Sequence, residues 1–236
     1  MYYNNINGPT SAVIAAGGKG ARMGAGLNKQ YIEILGRPVL ARTIQAFEEC
    51  GRIDEIIVVV SENEIDYCKE NIIVKNAFKK VRAVVAGGES RQRSVLNGLR
   101  NVSLECGIVL IHDGARPFVD KADICSCIDA AVEFGSACAA VPVKDTVKCS
   151  DGSGFVAETL DRSNLWSIQT PQAFQYRLIM EAHEKAAEEG FEATDDASLT
   201  ERLGHKVRLV MSGYYNIKIT TREDLAFAEA IARIAG

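Results

Sequence analysis

Five short runs of apolar, mostly β-branched residues constrain the fold of this 236-residue chain more than any other feature. The runs occupy residues 12–16, 56–60, 81–85, 108–111 and 137–141. Each has the length of a strand and is apolar at nearly every position, as strands are when both faces of a parallel sheet are buried. Because amphipathic segments separate the runs, the sequence predicts an α/β fold with a mostly parallel sheet flanked by helices.

Local signals place the helices between these strands. Pro38 suits a first helical turn, and apolar residues recur behind it at helical spacing. Similar patterns predict helices over residues 90–100, 121–134, 176–189 and 195–203, and a closing helix from Arg222. Two further strands are expected near residues 207–211 and 216–219.

Residues 144–161 interrupt this pattern with a polar, glycine-rich segment. They lie between two β-prone stretches, Thr146-Val147 and Phe155-Val156, which is typical of a hairpin. We therefore expect one domain over residues 1–236 that carries a projecting β-arm at about residues 142–170.

Composition excludes several classes of protein. A net charge of −4 and the lack of a basic stripe argue against nucleic-acid or anionic-membrane partners. The start of the chain lacks a secretory pattern, and no apolar run approaches the ~18 residues of a membrane span. Seven cysteines without a paired CxxC are interpreted as reduced thiols. These features predict a cytoplasmic protein.

A glycine-rich turn directly follows the first predicted strand. It reads Ala15-Ala16-Gly17-Gly18-Lys19-Gly20-Ala21-Arg22-Met23-Gly24. Glycines let backbone N–H groups approach phosphate oxygens, so the turn can wrap a triphosphate, although it can also be a plain strand-to-helix connection. No Gly-Lys-Ser/Thr closes it as in a Walker loop, and Met23 replaces the last glycine of the dinucleotide fingerprint.

Motifs along residues 12–230 carry a resemblance to a known family. The glycine-rich turn with Asn28-Lys29-Gln30-Tyr31 resembles the sugar-nucleotide pyrophosphorylase superfamily. The later motifs resemble the methylerythritol phosphate cytidylyltransferases of the non-mevalonate isoprenoid pathway: Ala86 to Val95, Ile111 to Phe118, Val141 to Lys148, Leu160-Asp161-Arg162 through Leu165-Trp166 to Gln172, Thr194 to Ala197, and Asn216 to Thr220.

The resemblance implies a fold, a reaction and partners. The fold would be a Rossmann-like domain of the nucleotide-diphospho-sugar transferase type, with a β-arm that builds a homodimer. The enzyme would join CTP to 2-C-methyl-D-erythritol 4-phosphate with Mg²⁺, giving 4-diphosphocytidyl-2-C-methyl-D-erythritol and pyrophosphate. Since a phosphate oxygen attacks the α-phosphorus, the protein must mainly position polyanions and stabilise charge.

The resemblance also implies catalytic roles for four cations. Arg22 and Lys29 would contact the triphosphate and stabilise the transition state. Lys218 would grip the attacking phosphate together with Arg162, which would reach in from the partner's arm. The alternative for each is a surface cation in an exposed ion pair.

Further residues follow from the same resemblance. The backbone of Ala15, Ala16, Gly17, Gly18 and Gly20 would cradle the triphosphate. The cytosine segment and the ribose end of the site would comprise Gly87, Gly88, Glu89, Ser94, Asp113 and Ala115. No direct metal ligand is assigned, and Asp113 is the candidate for contact with hydrated Mg²⁺.

Four residues are candidates for contact with the alcohol substrate. Arg116 either binds the substrate or supports Asp113. Thr146, Thr170 and Thr194 are candidate hydroxyl donors, or else strand and cap residues. His112 is expected to pack beside Asp113, because an ionised phosphate has no proton for a base to remove.

Three other functions remain as alternatives. A cytidylyltransferase for a related polyol phosphate, such as ribitol 5-phosphate, shares the motifs of the first half of the chain. A nucleotide-sensing module without turnover would not require Arg22, Lys29, Arg162 and Lys218 together. A dehydrogenase is disfavoured by Met23.

Overall fold

The computed structural model describes residue 6, residues 8–18 and residues 28–235. The strands within these ranges are β1 (Thr10–Ala15), β2 (Glu33–Ile34), β3 (Arg37–Pro38), β4 (Glu55–Val60), β5 (Val81–Ala86), β6 (Ile108–Asp113), β7 (Ser136–Pro142), β8 (Lys148–Ser150), β9 (Val156–Thr159), β10 (Trp166–Gln175) and β11 (Arg208–Met211). The α-helices are α1 (Val39–Glu48), α2 (Ile65–Cys68), α3 (Arg91–Leu99), α4 (Lys121–Phe134), α5 (Tyr176–Glu189), α6 (Asp196–Arg202) and α7 (Arg222–Ala235).

Seven strands form the central sheet, in the order β11-β7-β10-β6-β1-β4-β5. Neighbouring strands are parallel except around β10, which runs antiparallel to both β6 and β7. The chain moves outward from β1 through β4 to β5 and then returns to place β6 on the other side of β1. This reversal is the point at which open α/β sheets bind ligands. The predicted α/β fold with a mostly parallel sheet is confirmed.

Successive side chains along the strands point to opposite faces of the sheet, and helices cover both faces. Ile14 and Val58 belong to the apolar cluster that includes α1 and α4. Their neighbours Val13 and Val59 point to the opposite face and pack with residues of α3 and α5. Because successive strand residues face opposite ways, a continuous apolar run buries both faces. Helices on each side therefore hold the strand ends at fixed positions.

Side-chain caps fix the starts of two helices that border the site. Ser90 Oγ accepts a hydrogen bond from the Arg93 N–H at 3.1 Å at the start of α3. Asp195 Oδ1 accepts from the Ser198 N–H at 3.0 Å at the start of α6. Each cap satisfies one of the free N–H groups of a first turn. The helices predicted over 90–100 and 195–203 are confirmed, with Ser90 and Asp195 as caps.

The last third of the chain differs from the sequence-based expectation in two places. The strand predicted at residues 216–219 is wrong: this segment pairs at isolated points, as where the Ile219 N–H donates to Ala115 O at 2.9 Å. Sequence patterns did not predict β10, which completes the central sheet.

The hairpin expected within residues 144–161 is present as the antiparallel pair β8 and β9, which form their own small sheet. All residues of both strands are exposed. Within the described part of the chain, no helix is long and apolar enough to cross a membrane.

Candidate active site

A cleft of about 830 Å³ opens where the carboxyl ends of β1, β4, β5 and β6 meet. Parallel strands deliver the segments that follow them to one edge of the sheet, which explains the convergence. The described lining residues are Ala15, Ala16, Gly17, Gly18, Gln30, Ser61, Glu62, Asn63, Gly87, Gly88, Glu89, Ser90, Arg91, Ser94, Asp113, Gly114, Ala115 and Lys218. Most of the predicted nucleotide-binding positions therefore share one cleft.

The turn after β1 is held between its two neighbouring strands. The Ala16 N–H donates to Val59 O at 2.7 Å, and the Gly114 N–H donates to Ala15 O at 2.8 Å. A Cβ on Gly114 would lie 2.7 Å from the Cβ of Ala16, closer than real side chains approach. Glycine at this position thus allows the ends of β1 and β6 to close on each other.

Arg22 and Lys29 are the two cations that the sequence predicts to contact the triphosphate. Arg22 and Gly20 lie outside the described residues, and so does the side chain of Lys29. The backbone of Lys29 forms part of a short helical turn, Lys29–Tyr31, that precedes β2.

The segment after β5 is packed around Ser94. The Gly88 N–H donates to Ser94 Oγ at 3.0 Å, and Ser94 Oγ–H donates to Ser90 O at 2.8 Å. A Cβ on Gly87 would lie 2.8 Å from Ser94 Oγ, and one on Gly88 would lie 2.5 Å from the Cβ of Arg93. Glycines are therefore required for this tight turn, at whose surface Glu89 is exposed.

Three cations surround the carboxylate of Asp113 at the end of β6. Arg91 Nε lies 3.2 Å from Oδ1, whereas Arg116 Nε and Lys218 Nζ lie 3.4 Å and 2.9 Å from Oδ2. The Asp113 side chain is 9% exposed and that of Lys218 is 36% exposed. Burial raises the pKa of Asp113, but the charges of Arg91, Lys218 and Arg116 outweigh it and hold the pKa below its ordinary value. Asp113 is therefore ionised.

Arg91 extends this cluster into the protein. Its Nη1 lies 2.7 Å from Oδ2 of Asp196, whose Oδ1 lies 3.1 Å from Nε2 of His183. The side chains of Asp196 and His183 are almost fully buried. Among the described residues, Arg91, Arg116 and Lys218 contact two carboxylates, Asp113 and Asp196, so this cluster carries one more positive than negative charge. Glu62 and Glu89 also line the cleft, so the positive excess is a local property of this cluster, where it favours an anionic group of a ligand.

A buried chain of hydrogen bonds fixes the backbone at Asp113. The Asp113 N–H donates to Thr170 Oγ1 at 3.1 Å, and Thr170 Oγ1 lies 3.0 Å from His112 Nδ1. His112 Nε2 lies 3.1 Å from Arg116 O, a group that only accepts. Nε2 therefore carries the proton, and Nδ1 accepts from the Thr170 hydroxyl. Burial lowers the pKa of His112 to about 4, so the ring is neutral. Its complete burial agrees with the predicted packing beside Asp113.

The other predicted substrate-contacting residues lie in different surroundings. Arg116 Nη1 donates to Asn216 O at 2.7 Å, so Arg116 supports Asp113 from the side of the 216–219 segment. Arg162 is exposed, and its Nη1 donates to Lys144 O at 2.6 Å. Thr146 and Thr194 are also exposed. Arg162, Thr146, Thr170 and Thr194 are not among the described residues that line the cleft.

Sequence reasoning missed several lining residues. Ser61, Glu62 and Asn63 directly follow a predicted buried strand, and that position was the available signal. Arg91 lay inside a recognised motif without an assigned role. Its partner Asp196 is 105 residues away, so only the folded chain reveals the pair.

The chain is similar to one enzyme family over nearly its whole length. The family model for 2-C-methyl-D-erythritol 4-phosphate cytidylyltransferase matches residues 10–234. A relative of that name from Caldanaerobacter subterraneus subsp. tengcongensis is 52% identical over 223 residues, which cover 94% of this chain and 98% of the relative. One from Alkaliphilus oremlandii is 51% identical over 224 residues, which cover 95% of each chain.

Solved structures show the same similarity. The 4-diphosphocytidyl-2C-methyl-D-erythritol synthase from Anaerococcus prevotii has a TM-score of 0.86 and 35% identity, covering 99% of this chain and all of that chain. The 2-C-methyl-D-erythritol 4-phosphate cytidylyltransferase from Thermus thermophilus has a TM-score of 0.78 and 34% identity, covering 95% of this chain and 99% of that chain. The matched region includes every described segment that lines the cleft.

Proposed function

The chain belongs to the 2-C-methyl-D-erythritol 4-phosphate cytidylyltransferase family, and we propose that the cleft around Asp113 is where it binds CTP and the polyol phosphate. The enzyme transfers the cytidylyl (CMP) group of CTP to 2-C-methyl-D-erythritol 4-phosphate in isoprenoid precursor biosynthesis. The products are 4-diphosphocytidyl-2-C-methyl-D-erythritol and pyrophosphate. The observation that carries the assignment of the cleft is the triple cation contact of Asp113 beside a glycine-rich turn.

The chemistry requires charge stabilisation and alignment of two anionic reactants. An oxygen of the substrate phosphate attacks the α-phosphorus of CTP, a new P–O bond forms, and the bond to the bridging oxygen of the β-phosphate breaks as pyrophosphate leaves. No side-chain nucleophile is needed, so fixed cations and backbone N–H groups supply the catalysis. Lys218 suits contact with the attacking phosphate because it is held against Asp113 yet remains partly exposed in the cleft.

We assign the nucleotide to the segments after β1, β5 and β6. The backbone of Ala15, Ala16, Gly17, Gly18 and Gly20 would hold the triphosphate, with Arg22 and Lys29 as its cations. The tight turn at Gly87 and Gly88, with Glu89 and Ser94, would read the cytosine, because residues without a side chain let backbone groups approach the edge of the base. Asp113 and Ala115 would contact the ribose.

For the alcohol substrate, the internal contacts separate two kinds of residue. Thr170 and Arg116 are engaged with the Asp113 segment, so we propose that they position Asp113 more than they touch the substrate. Thr146, Thr194 and Arg162 are exposed and therefore accessible to a ligand or a second subunit. In this proposal Arg162 reaches the partner's cleft from a β-arm at about residues 142–170, within a single domain spanning residues 1–236.

Exposed apolar groups on the hairpin support such a dimer. Phe155 and Val156 are 74% and 59% exposed. Exposed apolar patches of this kind mark interaction surfaces. The free state of all seven cysteines, five of them buried, accords with a reducing compartment, so we propose the cytoplasm as the location.

The described residues suit Mg²⁺ that is bound mainly through the substrates. They include no cluster of three or more potential metal-binding side chains, and both oxygens of Asp113 already meet cations. Mg²⁺ keeps several waters and favours phosphate oxygens, so CTP would supply its ligands and Asp113 would contact a bound water. When bound, Mg²⁺ would neutralise charge on the phosphates.

Pyrophosphate release by the purified protein tests this function. We expect release with Mg²⁺, CTP and methylerythritol phosphate, and none when ATP, GTP or UTP replaces CTP. Release with ribitol 5-phosphate alone would assign a different substrate, whereas no release with either polyol phosphate would indicate a sensing module.

A further inference from the structure

Glu64 is a buried carboxylate that the proposed mechanism has not used. It ends the short helical turn Glu62–Glu64 that follows β4, and it is 8% exposed. Its Oε2 accepts from the Ser61 N–H at 3.3 Å, while the Glu64 N–H donates to Ser61 O at 2.9 Å. Ser61 is the N-cap of this turn, and a glutamate three residues later whose side chain accepts from the N-cap N–H is one half of a capping box.

Two further donors reach the same carboxylate from a distant segment. Gln30 Nε2 lies 3.2 Å from Oε2, and Asn28 Nδ2 donates to Oε1. Gln30 is 2% exposed, and both donors are more than thirty positions away along the chain. A capping role does not require these contacts. Asn28 and Gln30 flank Lys29, so Glu64 binds the residues on both sides of a proposed catalytic cation.

The same segment is anchored a second time and is joined to the phosphate turn. Tyr31 is 7% exposed and packs edge-on against Tyr67, with 4.8 Å between ring centroids. Ser61, which Glu64 holds, donates its Oγ–H to Gly17 O at 3.3 Å. Glu64 thus connects the segment of Lys29, the end of β4 and the turn after β1, all of which border the cleft.

We infer that Glu64 is a positioning residue that holds the backbone of Lys29 at the edge of the cleft through Asn28 and Gln30. The inference rests on the proposed role of Lys29 in binding the triphosphate. Oε1 accepts from Asn28, whereas Oε2 accepts from both Gln30 and the Ser61 N–H, so the three donors use both side-chain oxygens of Glu64. An amide in its place has a single acceptor atom, and its NH₂ group would face a donor.

A double-mutant cycle tests the inference. Glu64→Gln keeps the shape and the ability to cap a helix, and it removes one acceptor. Since a small misplacement of a catalytic group can cost ~10²-fold, we expect Glu64→Gln to lower kcat/KM for CTP by about tenfold. In a Lys29→Met background the same change should matter less than twofold. Asp66→Asn, an exposed carboxylate two residues along, is the matched control and should leave kcat/KM unchanged.

Calorimetric titration with CTP and Mg²⁺ provides a readout that does not need turnover, should Lys29→Met be too slow to assay. We expect Glu64→Gln to weaken CTP binding in the wild-type background and to leave it unchanged beside Lys29→Met. Equal losses in both backgrounds would overturn the inference while leaving the role of Lys29 intact. Unchanged turnover in Lys29→Met itself would overturn both the inference and that role.

Discussion

Nη1 of Arg91 lies 2.7 Å from Oδ2 of Asp196, a carboxylate that is 1% exposed. Nε of the same guanidinium lies 3.2 Å from Oδ1 of Asp113 in the cleft. Arg91 therefore links the buried start of α6 to Asp113, the carboxylate at the centre of the site. Burial lowers the pKa of Arg91, but Asp196 and Asp113 outweigh this effect and raise it. The bridge is held by charge on both sides.

Replacing Asp196 tests how much of the site depends on this bridge. Removing one partner of a buried ion pair costs about 3–5 kcal/mol, because the other charge is left without compensation. We expect Asp196→Asn to lower the free energy of unfolding by an amount at the lower end of that range, since Arg91 keeps Asp113. Turnover should fall as Asp113 shifts. Urea unfolding and steady-state kinetics measure the two effects.

An exposed ion pair supplies the control for Asp196. Arg52 Nη1 lies 2.9 Å from Asp129 Oδ1, with side chains 47% and 67% exposed. Exposed pairs contribute about 0–1 kcal/mol, so Asp129→Asn should leave both measurements nearly unchanged. Equal losses of stability in the two variants would show that the buried ion pair of Asp196 contributes no more to stability than an exposed one.

The buried His112 makes stability depend on pH. Burial lowers its pKa from 6.5 to about 4 in the folded chain. The unfolded chain therefore takes up a proton at higher pH than the folded chain does. The neutral ring therefore adds to the free energy of unfolding in full above pH 6.5, and this contribution is lost as the pH falls towards 4. The whole contribution is on the order of 3 kcal/mol.

His112→Asn should remove this slope, because Asn Oδ1 can replace Nδ1 as an acceptor without titrating. The measurement is urea unfolding at intervals between pH 7 and pH 4.5. The pKa of Asp113 is also lowered, so its contribution to the free energy of unfolding is lost only below the ordinary carboxyl pKa of about 4, which lies outside this pH window. His205→Gln, at an exposed position, is the control. A wild-type slope retained in His112→Asn would contradict the assignment.

Much of the fold could be predicted because its signals are local. The runs that became β1 and β4 are apolar on both faces, and Ser90 marks the start of α3. β10 gave no comparable signal, since it combines Trp166, Pro171 and glutamines and bulges between Ile168 and Gln172. Its strand character depends on pairing with β6 and β7, which the local sequence does not encode.

In the site as well, features encoded by neighbouring residues could be predicted, and contacts between distant segments could not. Gly87 and Gly88 were predictable because a glycine pair directly after an apolar strand indicates a tight turn. The contacts among Arg91, Asp113 and Asp196 join α3, β6 and α6, and no periodicity connects them. The order of the strands brings them together, and that order is a property of the whole chain.

Gly88→Ala should weaken CTP binding through steric conflict. The new Cβ would lie 2.5 Å from the Cβ of Arg93, so the turn must shift. Overpacking of this kind costs about 1–3 kcal/mol. We expect KM for CTP to rise much more than KM for the polyol phosphate. Gly51→Ala, where a Cβ meets nothing within 4 Å, should be neutral. Parallel rises in both KM values would argue against a nucleotide-specific role for this turn.

The proposed sharing of sites between subunits predicts that inactive variants complement each other. Lys218→Ala disables the cleft of its own chain, and Arg162→Ala disables the arm that reaches the partner. A heterodimer of the two contains one site with both residues intact and one with neither. Random exchange makes about half of the dimers mixed, so mixing should restore about a quarter of wild-type turnover.

Pyrophosphate release after mixing and re-equilibration is the measurement, and mass spectrometry of differently tagged chains verifies exchange. A chain that carries both substitutions should not rescue wild-type-like activity when mixed with either single variant. If exchange is complete and turnover does not recover, Arg162 acts within its own chain. Recovery of about a quarter requires that Lys218 and Arg162 meet across the subunits, since neither variant alone contains a complete site.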